Sequence, residues 1–308
     1  MIHAHTRTVQ IARFLRAAAP AVHKRRGGRM ARQQQPDVIR LEYFKAIRAA
    51  AVEPCIRALA GVHDELLRLL ADERQKSGKD DSAQIAFARQ DANDNEKRSH
   101  DLIERIRRRA AQEVSSRELA EVAEKFGKRT AAFSRQQLDR QVRQATGVPL
   151  SALERPTVDR IPAFTTTNVD LIKTVPDRYF DALKTAVSQA YEEGWGVDRL
   201  SDEIAFRGEV ADSDARRIAR DQIGKLNAQV NQDRQESLGV TSYTWRGALD
   251  ARERDSHRSL EGQVFEWDSD GAPGADVDGG PAHPGEAICC RCFSEPNLQA
   301  IIDGVSED

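Results

Sequence analysis

Three of the chain's four cysteines, Cys289, Cys290 and Cys292, fall inside the stretch HPGEAICCRCF at residues 283–293. Cys290 and Cys292 are two positions apart, so an extended backbone sends both thiols to the same side. A nitrogen donor is available from His257 on a separate segment, and Asp250, His283 or Cys289 would complete four ligands. Thiolate and imidazole donors suit tetrahedral zinc, so His257, Cys290, Cys292 and Asp250 form a candidate structural zinc site. The spacing is not that of paired C-x-x-C motifs. The same residues therefore also suit a purely structural cluster, with small core thiols and a hydrogen-bonded imidazole and carboxylate pinning a turn. A third reading makes His257 the base for a Cys290 or Cys292 nucleophile, with Asp250 orienting it, as in a zinc- or cysteine-dependent hydrolase. Against it, no glycine beside a cysteine at a helix start supplies an oxyanion hole.

The elements that must carry these residues are legible in part. Residues 37–74 read as helix. Cys55, Leu59, Val62, Leu66 and Leu69 alternate steps of four and three, and Pro54 kinks or restarts the segment. The polar stretch 75–97 predicts a break. A second helix carries Leu102, Ile103, Ile106, Ala110 and Val114, and a third runs over 129–145 and stops at Gly147 and Pro149. Residues 151–168, with Pro156, Pro162 and a Thr-Thr-Thr-Asn run, predict a linker. An amphipathic helix follows over 176–193, with Tyr179, Phe180, Leu183, Val187 and Tyr191 inward and Gly194 at its end. A short helix near 198–206 precedes a long one capped by Ser213 and stopped by Gly239. VTSYTWR then alternates as a strand, and GQVFEW reads as a second. The expected fold is α+β: a basic, flexible leader over 1–36, an α-helical arm over 37–150, and a small mixed helix and strand domain over 151–308.

Composition narrows the function classes. No apolar run approaches the length of a membrane span, so no membrane partner is expected. Residues 1–40 carry nine Lys or Arg against Asp37 alone, whereas residues 250–308 carry four Arg against fourteen acids. An anionic partner therefore fits the head of the chain and not its tail. Arg25, Arg26 and Arg29 are the candidate contacts there. Arg216 and Arg220, four apart on a helix, are candidates for a partner or nucleic acid, although a solvated face paired with Asp212, Asp214 and Asp221 accounts for them too. The Arg-rich first 30 residues look superficially like a targeting peptide, and Met30 is an alternative start. Cys55 reads as a small core residue, Trp195 and Trp245 as core anchors. Cysteine usage suits a reducing compartment.

The C-terminal pieces also resemble a known family when taken in order. They are Ala219-Arg220 on a helix, Gly239, a strand ending in Trp245, then Asp250, Arg254 and His257, then Leu260 and Gly262, and finally Pro284 ahead of Cys290-Arg291-Cys292. This set is similar to the phage head-morphogenesis family of minor head proteins, typified by the F protein of phage Mu, over about residues 165–296. The resemblance implies a non-enzymatic structural protein of a tailed phage or prophage, located in the capsid interior near the portal and in the host cytoplasm during assembly. It further implies portal protein and major capsid or scaffold proteins as partners, with a part in head assembly and in DNA packaging or ejection. The basic head would touch packaged DNA through phosphates without reading bases. The family commonly has Asn where this chain has Cys289, which leaves open whether Cys289 joins the site or fills a turn.

Overall fold

The computed structural model describes residues 35–77, 82–153, 156–267, 272–275 and 280–298. The candidate contacts Arg25, Arg26 and Arg29, and nearly all of the basic leader, lie outside the described residues. The fold is α+β: among the described residues, helices occupy most of 37–237, and a small antiparallel sheet follows. The chain sorts into two compact units, each assembled from separate stretches. One takes residues 41–123 and 165–219; the other takes 1–40, 124–164 and 220–308. The division at residue 150 drawn from the sequence follows chain order, and this sorting does not.

The all-helical unit begins within α1 (Asp37–Ile47), which passes through a π-helical turn, Arg48–Val52, into α2 (Glu53–Ala60). Pro54 has no N–H to return to the carbonyl of Ala50, and the widened turn accommodates that gap: Glu53 N–H reaches back five residues to the carbonyl of Arg48. Gly61 and Val62 form a turn before α3 (His63–Ser77), so the helical segment expected over 37–74 is divided here as well as at Pro54. α3 ends at Ser77 and α4 (Ser82–Glu113) follows, so the predicted break within 75–97 coincides with the change from one helix to the next, and most of the stretch is helix. Its polar residues serve a helix that buries only one stripe. Leu102, Ile103, Ile106 and Ala110 are buried, as are Tyr179, Phe180, Leu183 and Val187 of α6 (Ile161–Glu192). Polar pairs flank the apolar ones: Arg107 with Asp177 and Asp181, Lys184 with Glu104, and Ser188 with Glu96. Exposed pairs of this kind contribute little stability and chiefly fix which faces meet.

The Thr-Thr-Thr-Asn run predicted to be linker is also helix. Asp159 accepts the Ile161 N–H and Pro162 opens the first turn, which starts α6 seven residues before Asn168. Asn168 itself is fully buried and accepts the Tyr43 hydroxyl proton at 2.8 Å. A buried partner, which no local pattern reveals, decides the conformation here. The two helices predicted on either side of residues 206–213 are likewise one, α7 (Val197–Ser237). Ser213 is an interior residue and caps nothing. A single glycine, Gly208, lowers helix stability without ending the helix.

The mixed unit contains α5 (Ser116–Thr146) from Glu124 onward, α7 from Arg220 onward, and the sheet. One core cluster joins Leu138 and Val142 of α5 to Val148, Leu150, Leu153, Leu238, Val240 and Leu298. The sheet has the order β2-β1-β5, with β1 (Ser242–Arg246) central and both neighbours antiparallel: β2 (Val264–Glu266) and, later in the chain, β5 (Phe293–Pro296). Tyr243 and Trp245 project to one side and are fully buried. They build a second core with Trp267, Ala282, Ala287, Cys290 and Cys292. A two-residue ladder, β3 (Gly274–Ala275) with β4 (Pro281–Ala282), lies in the loop between β2 and β5.

The continuity of α7 has a sharp consequence. A methyl group at position 208 meets no atom within 4 Å, so Gly208→Ala restricts the unfolded chain without a clash. It should raise unfolding stability by about 1 kcal/mol in urea melts. A loss of stability would show that the helix is interrupted there.

A buried thiol and imidazole cluster as the candidate site

The site forms where two segments far apart in sequence close on each other. The first runs from the end of β1 through α8 (Asp255–Arg258); the second is the turn-rich stretch 283–292 leading into β5. Among the described residues, His257, Cys290 and Cys292 place their donor atoms within 4.8 Å of one another, and all three are buried. The Cys290 sulfur is 3.4 Å and the Cys292 sulfur 3.6 Å from the same ring nitrogen, Nδ1 of His257. The imidazole is held edge-on to the fully buried Trp245, ring centroids 5.3 Å apart. The central strand therefore aims the histidine at the two sulfurs.

Electrostatics within the cluster are unequal. The hydrogen bond from Cys292, followed by that from His257, holds the Cys290 thiol well below its usual range. Cys292, which gives that hydrogen bond and is itself buried, is pushed up. Cys55 belongs to the other unit, where burial pushes its thiol up to about 12. It donates to the Ala51 carbonyl at 3.2 Å, so it is an inert core residue.

Asp250 is not one of the clustered donors. Its carboxylate makes a two-point ion pair with Arg291, and that guanidinium, ahead of the Arg252 N–H, holds it far below the ordinary carboxylate range. The carboxylate beside the sulfurs is that of Glu253, whose Oε1 lies 3.6 Å from the Cys292 sulfur and whose Oε2 accepts the Leu249 N–H at 2.7 Å. Only its place three residues beyond Asp250 distinguished it in the sequence from the other late acids. His283 is spent elsewhere: its Nδ1 meets the Tyr243 hydroxyl at 2.8 Å. Arg220 lines a pocket of about 230 Å³ together with Glu253, Arg254, His257 and the Cys289–Cys292 stretch, whereas Arg216, in the other unit, lies over the Phe44 ring at 4.2 Å.

The spaced residues Asp250, Arg254 and His257 each brace the second segment at a different point. Asp250 holds Arg291, Arg254 donates to the Ile288 carbonyl at 2.7 Å, and His257 meets the two thiols. A stripe on α7 supports the opposite side. Asp221 accepts the Cys289 N–H at 2.8 Å, Gly224 and Ala228 leave room for Cys290 and Gly285, and Asn231 and Gln235 donate to Ser294. Gly285 has φ +93°, and a methyl group there would stand 2.7 Å from the Ala228 side chain. Both facts require glycine. Gln35, ahead of α1, adds a bond from its Nε2 to the Arg291 carbonyl at 2.7 Å.

Residues 181–295 match the family described as Phage Mu protein F like protein. The match spans a little over a third of the chain and takes in every brace just described between α7 and β5. This stretch of the chain is Mu F-like. An uncharacterized protein of Haemophilus influenzae is 36% identical over 180 residues, which cover 58% of this chain and 39% of that protein. The chain therefore spans well under half the length of that relative. No solved structure matches the chain. No described helix is long and apolar enough to cross a membrane.

The Mu F-like pattern also explains Cys289. Its backbone has φ +54°, a left-handed conformation that costs an ordinary residue about 1–2 kcal/mol and that asparagine tolerates. Cys289 fills a turn, and its sulfur is not part of the cluster. Cys289→Asn should therefore stabilise the protein by about 0.5–1 kcal/mol and leave the reactivity of Cys290 toward a thiol reagent unchanged. Urea melts and mass-resolved alkylation check both, and a destabilised variant would mean that the sulfur itself is needed.

Proposed function

We propose that this chain is a structural component of a tailed-phage or prophage head and acts in head assembly. The observation that carries the reading is the coincidence of the Mu F-like match with the braces of the mixed unit: Asp250, Arg254, His257 and the Cys290-Arg291-Cys292 turn all have holding roles. Residues devoted to closing a module suit a building part. The finer reading follows the family: a minor capsid protein with few copies per particle, associated with the portal, retained in the capsid interior, and engaged in DNA packaging or ejection. The basic stretch ahead of Gln35 suits non-specific contact with packaged DNA through phosphates, an interaction that salt weakens steeply.

The pocket beside His257 and Cys290 supports the second reading, a cysteine- or zinc-dependent hydrolase acting during maturation. It is the weaker one, because two sulfurs compete for one imidazole nitrogen and both are almost fully covered.

One experiment addresses both. In a lysogen carrying the gene, deletion should sharply reduce the yield of DNA-filled heads, and the chain should be found in purified heads made by the wild type. Trp245→Ala, which empties the second core at a cost of about 3–5 kcal/mol, should abolish incorporation. Normal, infectious heads lacking the chain would overturn the structural reading. Heads assembled but left unprocessed would favour the hydrolase.

A further inference from the structure

We propose that His257, Cys290 and Cys292 bind one zinc ion through Nδ1 and the two Sγ atoms, with the Glu253 carboxylate as fourth ligand, in a centre that closes the mixed unit. The inference stands on the cluster alone and does not require the phage reading.

Three observations support it. The first is donor geometry. With Zn–S near 2.3 Å and Zn–N near 2.0–2.1 Å, tetrahedral angles set sulfur and nitrogen about 3.5 Å apart. The distances from Nδ1 are 3.4 Å to Cys290 and 3.6 Å to Cys292. The second is hydrogen-bond accounting. Nδ1 has one site, either a lone pair or a proton, and two sulfurs converge on it. A cation between the three atoms takes the nitrogen and both sulfurs as ligands at once, whereas a proton on Nδ1 serves one sulfur. The third is the surrounding chemistry. Glu253 Oε1 stands 3.6 Å from the Cys292 sulfur but outside the three-donor cluster, so its side chain must turn inward to become the fourth ligand. Its other oxygen is anchored on the Leu249 N–H, so the carboxylate is oriented by the backbone. Trp245 fixes the imidazole as an outer partner of a metal site does. The pocket of about 230 Å³ lined by Glu253, His257 and both cysteines gives an ion a way in.

The assignment differs from the donor set suggested by spacing at one place. Asp250 is neutralised by Arg291 and is excluded; Glu253 replaces it. That difference makes the test selective.

The tag-free full chain, purified after expression with zinc, should carry about one zinc per molecule by elemental analysis. A strong chelator should lower its melting temperature, and zinc but not magnesium should restore it. Cobalt substitution should give a thiolate-to-cobalt charge-transfer band, which Cys290→Ser and Cys292→Ser should each weaken or remove. Glu253→Gln should keep that band but release metal roughly tenfold or more readily. Asp250→Asn should retain the metal. A wild-type chain that holds no zinc, and whose melting ignores both chelator and zinc, overturns the site without any variant needing to fold. Retention of zinc by Glu253→Gln as tight as in the wild type, or its loss from Asp250→Asn as complete as from Cys290→Ser, overturns the ligand assignment.

Discussion

The convergence of two sulfurs on one imidazole nitrogen, behind a fully buried tryptophan, is the constraint from which the mixed unit takes its shape. β5 reaches the sheet only after the chain has run some 25 residues from β2, and a strand of four residues has little to hold it there. The contact of His257 with Cys290 and Cys292 closes that long loop immediately before β5 begins. The Asp250–Arg291 pair and the Arg254 bond to Ile288 then set the path of the turn, and Ser294 locks onto α7. Each interaction is modest alone. Together they fix a segment whose own composition specifies no regular structure.

This arrangement gives physical content to a pattern that is otherwise only an order of letters. The helix stripe Asp221, Gly224, Ala228, Asn231, Gln235 advances by three and four, so it presents a single face. That face offers an acceptor, two small residues and two amides, where an apolar stripe would be expected of a core helix. The turn against it is rich in backbone polar groups, and buried backbone needs partners. Small residues permit the approach, and polar ones satisfy it. Trp245, Gly262 and Leu260 belong to the same logic: the strand end, its return turn and the cover over the second core.

How much of this was legible in the sequence depended on whether the cause was local. The stops at Gly147, Gly194 and Gly239, the β1 strand, its partner β2 and the inward aromatics of α6 all follow from periodicity and punctuation, and the structure has them. The false breaks at Thr165–Asn168 and around Gly208 share one origin: polarity or a single glycine was read as termination. In each case the helix is sustained by burial on one face, as Asn168 beneath Tyr43 illustrates. β5 carried no alternating signal because only Phe293 in it is strongly apolar. Within the site, His257, Cys290 and Cys292 were recognisable from donor type and spacing. The withdrawal of Asp250 from the cluster was not, since it turns on which carboxylate Arg291 captures. Cys289 was ambiguous until its positive φ showed a turn position occupied by an unusual residue.

The central claim is that the cluster holds the late segment onto the sheet. Hydrogen exchange on His257→Ala, followed by mass spectrometry, tests it most directly. The account predicts that peptides covering 283–296 lose protection strongly, while those from α4 and α6 in the helical unit exchange as in the unaltered protein. Unchanged protection over 283–296 would contradict it, as the turn and β5 would then be held by something other than the imidazole and its two sulfurs.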